Sequence, residues 1–377
     1  MADRREPGGV PTEQFLRDLA SVDAGSGAVL TFLLDTDGRR FPRRGDYEKP
    51  AADALRHADT GTLGRDARAA IESDRTRILE YVSKEFERGA TRGLAVFACE
   101  PLRLWEVFHL PIALRTRAVA DRHPHVMRLE AVLAHAERYA TALVSRDRAR
   151  LFTTHLGRTE ERSEILDDVP GRHGQGGWSQ ANYSRHIEQV AHRHFKHAAE
   201  SLFGLSKREP FDRLILAGPD EAVASFEKGL HAGLGERVAA RVSLPMNAGI
   251  SRVAEAARAV DDVLEGERAA EIVVRVLEEF AAGRNAVVGV ERTLAALHDG
   301  RVETLAIEAG EPREGYRCEH CRRLATSDGK CESCGASMLR VADLGEEMVD
   351  EALRGRCRVV AAETRPLPDG VGALLRF

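Results

Sequence analysis

Two C-x-x-C pairs, Cys318-Glu-His-Cys321 and Cys331-Glu-Ser-Cys334, stand nine residues apart near the end of a chain of 377 residues. Each pair can present two thiolates from one tight turn, and two pairs close a tetrahedral site around one ion. Gly335 follows the second pair, where such a knuckle needs a residue tolerant of positive φ. Residues 316–336 therefore read as a zinc ribbon, with structural Zn2+ on Cys318, Cys321, Cys331 and Cys334. Four thiolates leave no open position for a substrate, so the metal is expected to hold the fold and not to catalyse. The bland alternative is a reduced thiol loop without metal, and His320 reads as an exposed bystander. The remaining cysteines, Cys99 and Cys357, lie apart, and this clustering favours metal over disulfides.

The formal charge is −5, so no overall positive field gathers nucleic acid, and any RNA contact must come from local patches. Apolar residues make up 43% of the chain, enough for real cores, yet no run approaches the ~18 residues of a membrane span. The opening Met-Ala-Asp-Arg-Arg-Glu-Pro lacks the apolar centre of a signal peptide. A cytoplasmic protein is the expectation.

Apolar runs and helical spacing alternate along the chain, which predicts an α/β protein of three α/β domains. In the first, residues 1–126, Ala28–Leu34, Gly93–Cys99 and Leu104–Leu110 read as strands and Ala67–Phe86 as a helix; 39–62 reads as a charged loop with a helical piece. The second, 127–282, opens with a short helix at Met127–His135 and a β-hairpin, Ala140–Ser145 and Ala149–Thr154, around Arg146-Asp147-Arg148. Arg213–Ala217 and Val238–Leu244 read as its later strands, and Ile250–Ala282 as a long helix with a break at Gly266. The third, 283–377, holds strands at Ala286–Val290, Gly300–Ile307, Arg358–Ala362 and Val371–Phe377, with the zinc ribbon inserted ahead of a helix at Leu344–Leu353.

Residues 171–180, Gly-Arg-His-Gly-Gln-Gly-Gly-Trp-Ser-Gln, place four glycines in seven positions and cannot bury themselves. They read as an exposed loop, in which Trp178 is out of place unless it stacks on something. A helix at about Asn182–Phe203 follows, one face marked by Tyr183, Ile187, Val190, His194, Ala198 and Leu202. Arg172, His173, Arg185, Arg193 and Lys196, with further histidines on the helix, make a local basic patch suited to RNA phosphate. The glycines fit neither a P-loop nor a dinucleotide fingerprint, since no G-K-[ST] and no G-x-G-x-x-G turn is present.

This loop and helix resemble the central domain of the archaeal and eukaryotic class-1 peptide chain release factors and pelota, where a Gly-Gly-Gln loop precedes a long basic helix. His173 to Gln180, with Tyr183 and Arg185, carry the likeness. The third domain adds Gly289-Val290-Glu291, Gly300 to Leu305, the cysteine pairs and the closing Gly370 to Phe377. The resemblance implies a ribonuclease-H-like central domain, ribosome, rRNA and tRNA as partners, an elongation-factor-type GTPase as a further one, and neither membrane nor DNA. It departs at two points. Trp178 stands where release factors place the Gln that assists water attack, and no Asn-Ile-Lys-Ser occurs in the first third, so stop-codon reading is not supported. Vms-type relatives carry their Gln later in the loop, which makes Gln180, preceded by Gly176 and Gly177, the catalytic candidate ahead of Gln175. Balon-like relatives imply the other reading, an A-site binder acting in ribosome hibernation or rescue, with Arg172, His173, Trp178, Arg185, Arg193 and Lys196 on RNA. Three alternatives, a ribosome-binding factor, a peptidyl-tRNA hydrolase and an RNA or protein adaptor unrelated to translation, stay open at the level of sequence.

Overall fold

The computed structural model describes residues 11–377 except 59, 61–62, 90, 167–177, 309–312, 342 and 363–364; at 13, 132, 134–135 and 178–188 it describes the backbone only. The chain divides into two compact units, residues 1–126 with 135–260, and residues 127–134 with 261–377.

The first unit begins with α1 (Glu13–Ala20), β1 (Val29–Asp35), α2 (Arg44–His57), α3 (Arg65–Glu80), β2 (Gly93–Cys99), β3 (Leu104–Leu110) and β4 (Arg117–Asp121). The four strands form an antiparallel sheet in the order β3-β2-β1-β4. Every residue of β1 and β2 is buried, as their unbroken apolar runs dictate. Leu30, Phe32 and Leu34 pack with Leu94 and Val96 beneath α2 and α3, which supply Tyr47, Ala51, Leu55, Ile71 and Ile78. A single π-turn, Tyr81–Glu85, continues α3.

Asp74 sits on the buried side of α3, 2% exposed, and accepts the Glu100 backbone N–H at 3.2 Å. Burial pushes its carboxyl up to about 6, and the Glu100 charge adds to the rise against the Glu100 N–H and Arg77. The folded chain thus holds this proton more tightly than the unfolded chain. The resulting stability is complete below the ordinary pKa of 3.8 and is lost as pH rises through about 6. Asp74→Asn keeps an acceptor for Glu100 and removes the charge. It is expected to raise stability by roughly 1–3 kcal/mol at pH 7.5, and by nothing near pH 4, in urea titrations followed on the N-terminal sheet. A gain that stays flat across that range would contradict the assignment.

After α4 (Met127–His135) come β5 (Tyr139–Val144), β6 (Arg148–His155), β7 (Arg158–Leu166), α5 (Trp178–Arg208), β8 (Arg213–Ala217), α6 (Asp220–Glu227), α7 (Ala232–Gly235), β9 (Val238–Val242) and α8 (Ile250–Ala281). The sheet runs β7-β6-β5-β8-β9, with β6 antiparallel to both neighbours and β5, β8 and β9 parallel. The hairpin expected at 140–154 is there, Ala140 facing Thr153 and Val144 facing Ala149. Both faces are covered, one by α5 and α6 and the other by the start of α8 through Val253. β8 stops at Gly218, whose φ is +130° and where a Cβ would lie 2.1 Å from the Val144 carbonyl oxygen. The break expected at Gly266 is absent: α8 runs through it unbroken, and a Cβ there would meet open space, so nothing forces a kink.

The second unit is built from α4, the later part of α8, β10 (Ala286–Val288), α9 (Val290–His298), β11 (Val302–Ile307), β12 (Gly315–Cys318), β13 (Leu324–Ala325), β14 (Met338–Val341), α10 (Leu344–Arg354), β15 (Arg358–Ala361) and β16 (Val371–Leu375). Its main sheet has the order β10-β16-β11-β15, only the β11–β15 pair being parallel. One face packs on α9 and α10, the other on Val273 and Val276 of α8. The cysteine segment forms a separate sheet, β13-β12-β14. The chain is thus mixed α/β with several sheets, as the alternation of patterns implied, although its first sheet is wholly antiparallel. Among the described residues no helix is long and apolar enough to cross a membrane.

Candidate metal centre and nucleic-acid interface

The four cysteines meet. β12 ends on Cys318, and the second pair lies in the turn before β14. Their sulfur atoms all lie within 4.8 Å of one another, with Cys318–Cys334 and Cys321–Cys331 both at 3.4 Å and Cys321–Cys334 at 3.6 Å. A tetrahedron with metal–sulfur bonds of ~2.3 Å has edges of about 3.8 Å, and a disulfide would need about 2.05 Å. Four soft donors at this spacing fit one metal ion.

The backbone repeats itself around the two pairs. Arg322 N–H donates to the Cys318 carbonyl at 3.1 Å, and Gly335 N–H donates to the Cys331 carbonyl at 2.8 Å. Both donors sit at positive φ, 63° at Arg322 and 73° at Gly335. The sequence marks the second of these turns by its glycine. At the first an arginine bears the strain of a left-handed conformation, about 1–2 kcal/mol for a residue with a Cβ, and only the symmetry of the two pairs could have pointed to it. Cys318 and Cys331 are buried, Cys321 and Cys334 exposed. Burial acts to raise the Cys318 thiol, but the backbone N–H groups of Cys321 and His320 and the neighbouring thiols outweigh it and bring it down to about 6. Cys321 goes the other way, up to about 12: the Arg323 N–H opposes the rise, and the hydrogen-bonded thiols of Cys331, Cys318 and Cys334 drive it. Four thiols this close cannot all lose their protons, because their thiolates repel one another, unless a cation takes the charge.

The ribbon is tied to the unit beneath it. Leu324 is buried with Leu294, Leu297 and Met348. Its N–H donates to Nε2 of His298 at 3.0 Å, so this nitrogen carries no proton. Burial and the nearby Arg323 hold His298 down at about 4, neutral at physiological pH. Arg317 reaches Glu347 of α10 at 2.9 Å.

The second candidate surface lies on α5. The helix is 31 residues long, so it exceeds the expected Asn182–Phe203 at both ends and starts at Trp178. Ala191, Phe195, Ala198, Ala199, Leu202 and Leu205 recur at helical spacing and enter the core. His194 falls on this same face and is 1% exposed. It therefore does not join the basic surface expected of the helix histidines; Ala198 and Leu202, four and eight positions on, fix its direction inward. Arg193 and Lys196 face solvent, with His192 and His197 beside them. Arg172, His173, Gly176 and Gly177 lie outside the described residues. For Trp178, Gln180 and Arg185 the backbone alone is described, and it is helical, so Trp178 and Gln180 fall in the first turn of α5 and not in a loop.

Residues 124–262, which contain all of α5, match the model of bacterial archaeo-eukaryotic release factor family 10. The chain is 25% identical over 337 residues to peptide chain release factor subunit 1 of Pyrococcus abyssi, covering 78% of this chain and 81% of that one. It is 32% identical over 183 residues to the same factor of Aeropyrum pernix, covering 46% and 48%. Among solved structures it is similar to the archaeal termination factor aRF1, with 20% identity, coverage of 97% and 96% and a TM-score of 0.28. It is also similar to Archaeoglobus fulgidus Pelota, with 18% identity, coverage of 78% and 82% and a TM-score of 0.38. These whole-chain superpositions are loose, and the assignment rests on the sequence relatives and the family model. The chain is thus similar to release factors over most of its length. The central segment matches a bacterial family of such factors.

Proposed function

We propose that this chain is a ribosome-associated translation factor that occupies the A site and tRNA region and acts in hibernation or rescue without reading stop codons. The observation that carries this is α5. A glycine-rich stretch leads directly into a 31-residue helix, about 46 Å long at 1.5 Å per residue. One face of it is buried in the domain and the other shows Arg193 and Lys196 to solvent. A rod of this kind can carry Arg172, His173, Trp178 and Arg185 into a cavity walled by rRNA and tRNA, where arginines pair with phosphates and an aromatic ring stacks on a base.

In this reading the chain has three domains, 1–126, 127–282 and 283–377. The sheet order β7-β6-β5-β8-β9, with the second strand reversed, supports a ribonuclease-H-like central domain. The ion on Cys318, Cys321, Cys331 and Cys334 is zinc, held by a ribbon inserted in the third domain. The cytoplasm is the site of action, and an elongation-factor-type GTPase is the further partner that this similarity suggests.

Sedimentation with bacterial ribosomes tests the binding. The intact chain is expected to co-migrate at moderate salt, and Trp178→Ala to weaken that binding about tenfold if one stacked base is lost. An intact chain that stays in the supernatant would refute the proposal.

A second reading, peptidyl-tRNA hydrolysis, is favoured by the place of Gln180 in the first turn of α5. Backbone N–H groups around Gly176 and Gly177 would steady an oxyanion and Gln180 would position water. Release of labelled peptide that is lost in Gln180→Ala and kept in Trp178→Ala would select it.

A further inference from the structure

Away from α5, the turn after β1 holds a second concentration of positive charge. Arg39, Arg40, Arg43 and Arg44 lie on it and are exposed, and Arg88 and Arg92 approach it from the segment before β2. Facing these six arginines are the buried Asp35 and Asp37, the exposed Asp46, whose carboxylate takes the Arg43 N–H, and Glu48, which pairs with Arg44 at 3.4 Å; six positive charges meet four negative ones. In a chain of formal charge −5 this is a local reversal of sign.

The turn is built rigidly. Asp35 accepts the Asp37 N–H at 2.9 Å, and Asp37 accepts the Arg39 N–H at 3.1 Å. Arg88 donates to the carbonyls of Phe41 and Pro42, and Arg44 to that of Phe86. Two of the exposed guanidiniums are themselves gripped from below. Arg39 donates through Nη2 to Asp37 at 2.7 Å, and Arg40 through Nη1 to Asp35 at 2.7 Å, with the Arg40 guanidinium 5.6 Å from the Phe41 ring centroid. Both acids are almost wholly covered, their side chains 5% and 3% exposed, whereas the two arginine side chains are 61% and 64% exposed. Asp37 also takes the largely buried Arg92 at 2.9 Å, and its two arginines outweigh its burial, whereas at Asp35 burial outweighs Arg40. What the arrangement does achieve is to hold two solvent-facing guanidiniums in place before any ligand arrives, which lowers the entropy lost on binding.

We infer that Arg39 and Arg40, braced by Asp37 and Asp35, form a preorganised phosphodiester-binding site for RNA on the first domain, separate from the glycine stretch and α5. Arg39 gives its Nε–Nη2 edge to Asp37 and Arg40 its Nη1 to Asp35, so a phosphate would be met by the solvent-facing edge of each guanidinium, whose planar donors match phosphate geometry. Two adjacent forks, with Arg43 beside them, suit a ladder of successive phosphates better than a single anion. The choice of RNA over an acidic peptide rests on the ribosomal reading above.

The test uses the full chain and a labelled RNA hairpin of roughly 20 nucleotides, followed by anisotropy between 50 and 200 mM salt. R39Q/R40Q is expected to weaken binding at least tenfold at the low salt, and to flatten the log–log salt slope by about 1.5, as two phosphate contacts are lost. R39K/R40K keeps the charge and is expected to keep the slope while losing a few-fold in affinity. Wild-type affinity and slope in R39Q/R40Q would overturn the site, and so would polyglutamate competing more tightly than RNA. Should R39Q/R40Q lose its circular dichroism, R39K/R40K and R43Q decide, and unchanged affinity in both overturns the site. A chain that binds the hairpin but not ribosomes defeats the ribosomal reading and leaves the site standing. A chain that binds ribosomes with R39Q/R40Q indistinguishable from wild type does the reverse.

Discussion

Cys331→Ser is expected to strip the metal from the protein and unfold residues 315–341 while the first unit stays intact. Cys331 is one of the two buried cysteines of the cluster, and a hydroxyl does not replace its thiolate toward a soft metal. Structural zinc sites of this type contribute about 10–16 kcal/mol of metal-coupled folding energy at neutral pH, far beyond what short strands of two to four residues can supply. The loss reaches further than the ribbon, because Leu324 leaves the core beneath α9 and α10 and the Leu324 N–H leaves His298. Metal analysis should find one zinc per wild-type chain and essentially none in the variant. Hydrogen exchange should show the ribbon amides exposed and those of α9 faster. Protein freed of metal by a chelator, yet unchanged in melting and exchange, would contradict the assignment.

Arg128→Ala is expected to cost the second unit roughly 3–5 kcal/mol, the range for stranding buried charge. Arg128 of α4 contacts Glu346 at 2.6 Å and Asp350 at 3.0 Å on α10, and donates to the Glu346 carbonyl at 3.3 Å. The three side chains are 15%, 9% and 6% exposed. Removing the cation leaves two carboxylates in a poor solvent for charge. The triple variant R128M/E346Q/D350N removes all three charges and is expected to recover most of the loss. The readout is urea unfolding followed by exchange at α10, and equal stability of wild type and R128A would show that the cluster is solvated.

The same cluster shows where sequence reading ends. Arg128 and Asp350 are 222 positions apart, and no local pattern announces such a pairing. Apolar strands were legible: Gly93–Cys99, buried throughout, and the half-buried edge strand Leu104–Leu110 appear where their runs place them, because an apolar run needs burial wherever the chain takes it. β7 was not. Its sequence, RTEERSEIL, reads as surface loop, and of its residues only Ile165 is buried. It forms a strand because its charges pair with β6, Arg150 with Glu161 at 2.7 Å and Arg148 with Glu164, while Arg150 also donates to the Met246 and Ala248 carbonyls. α2 was blurred by Pro50 and by its charged ends, which masked the buried face of Tyr47, Ala51 and Leu55. For the candidate metal centre the four cysteines were legible from spacing alone, but the left-handed Arg322 and the anchoring His298 needed coordinates. For α5 the sequence conveyed the helix and its inner face, His194 included, but not its reach, because Trp178 and Gln180 after a glycine run read as loop where the backbone is already helical.

The account turns on a glycine-rich segment carried on a long helix to ribosomal RNA. A cryo-EM map of bacterial ribosomes purified with this protein tests that most directly. The expected result is density for α5 running into the A site, with residues 171–180 against rRNA or tRNA and Arg193 and Lys196 facing phosphates. Density that places the protein elsewhere on the particle, or turns residues 171–180 away from nucleic acid, would contradict it.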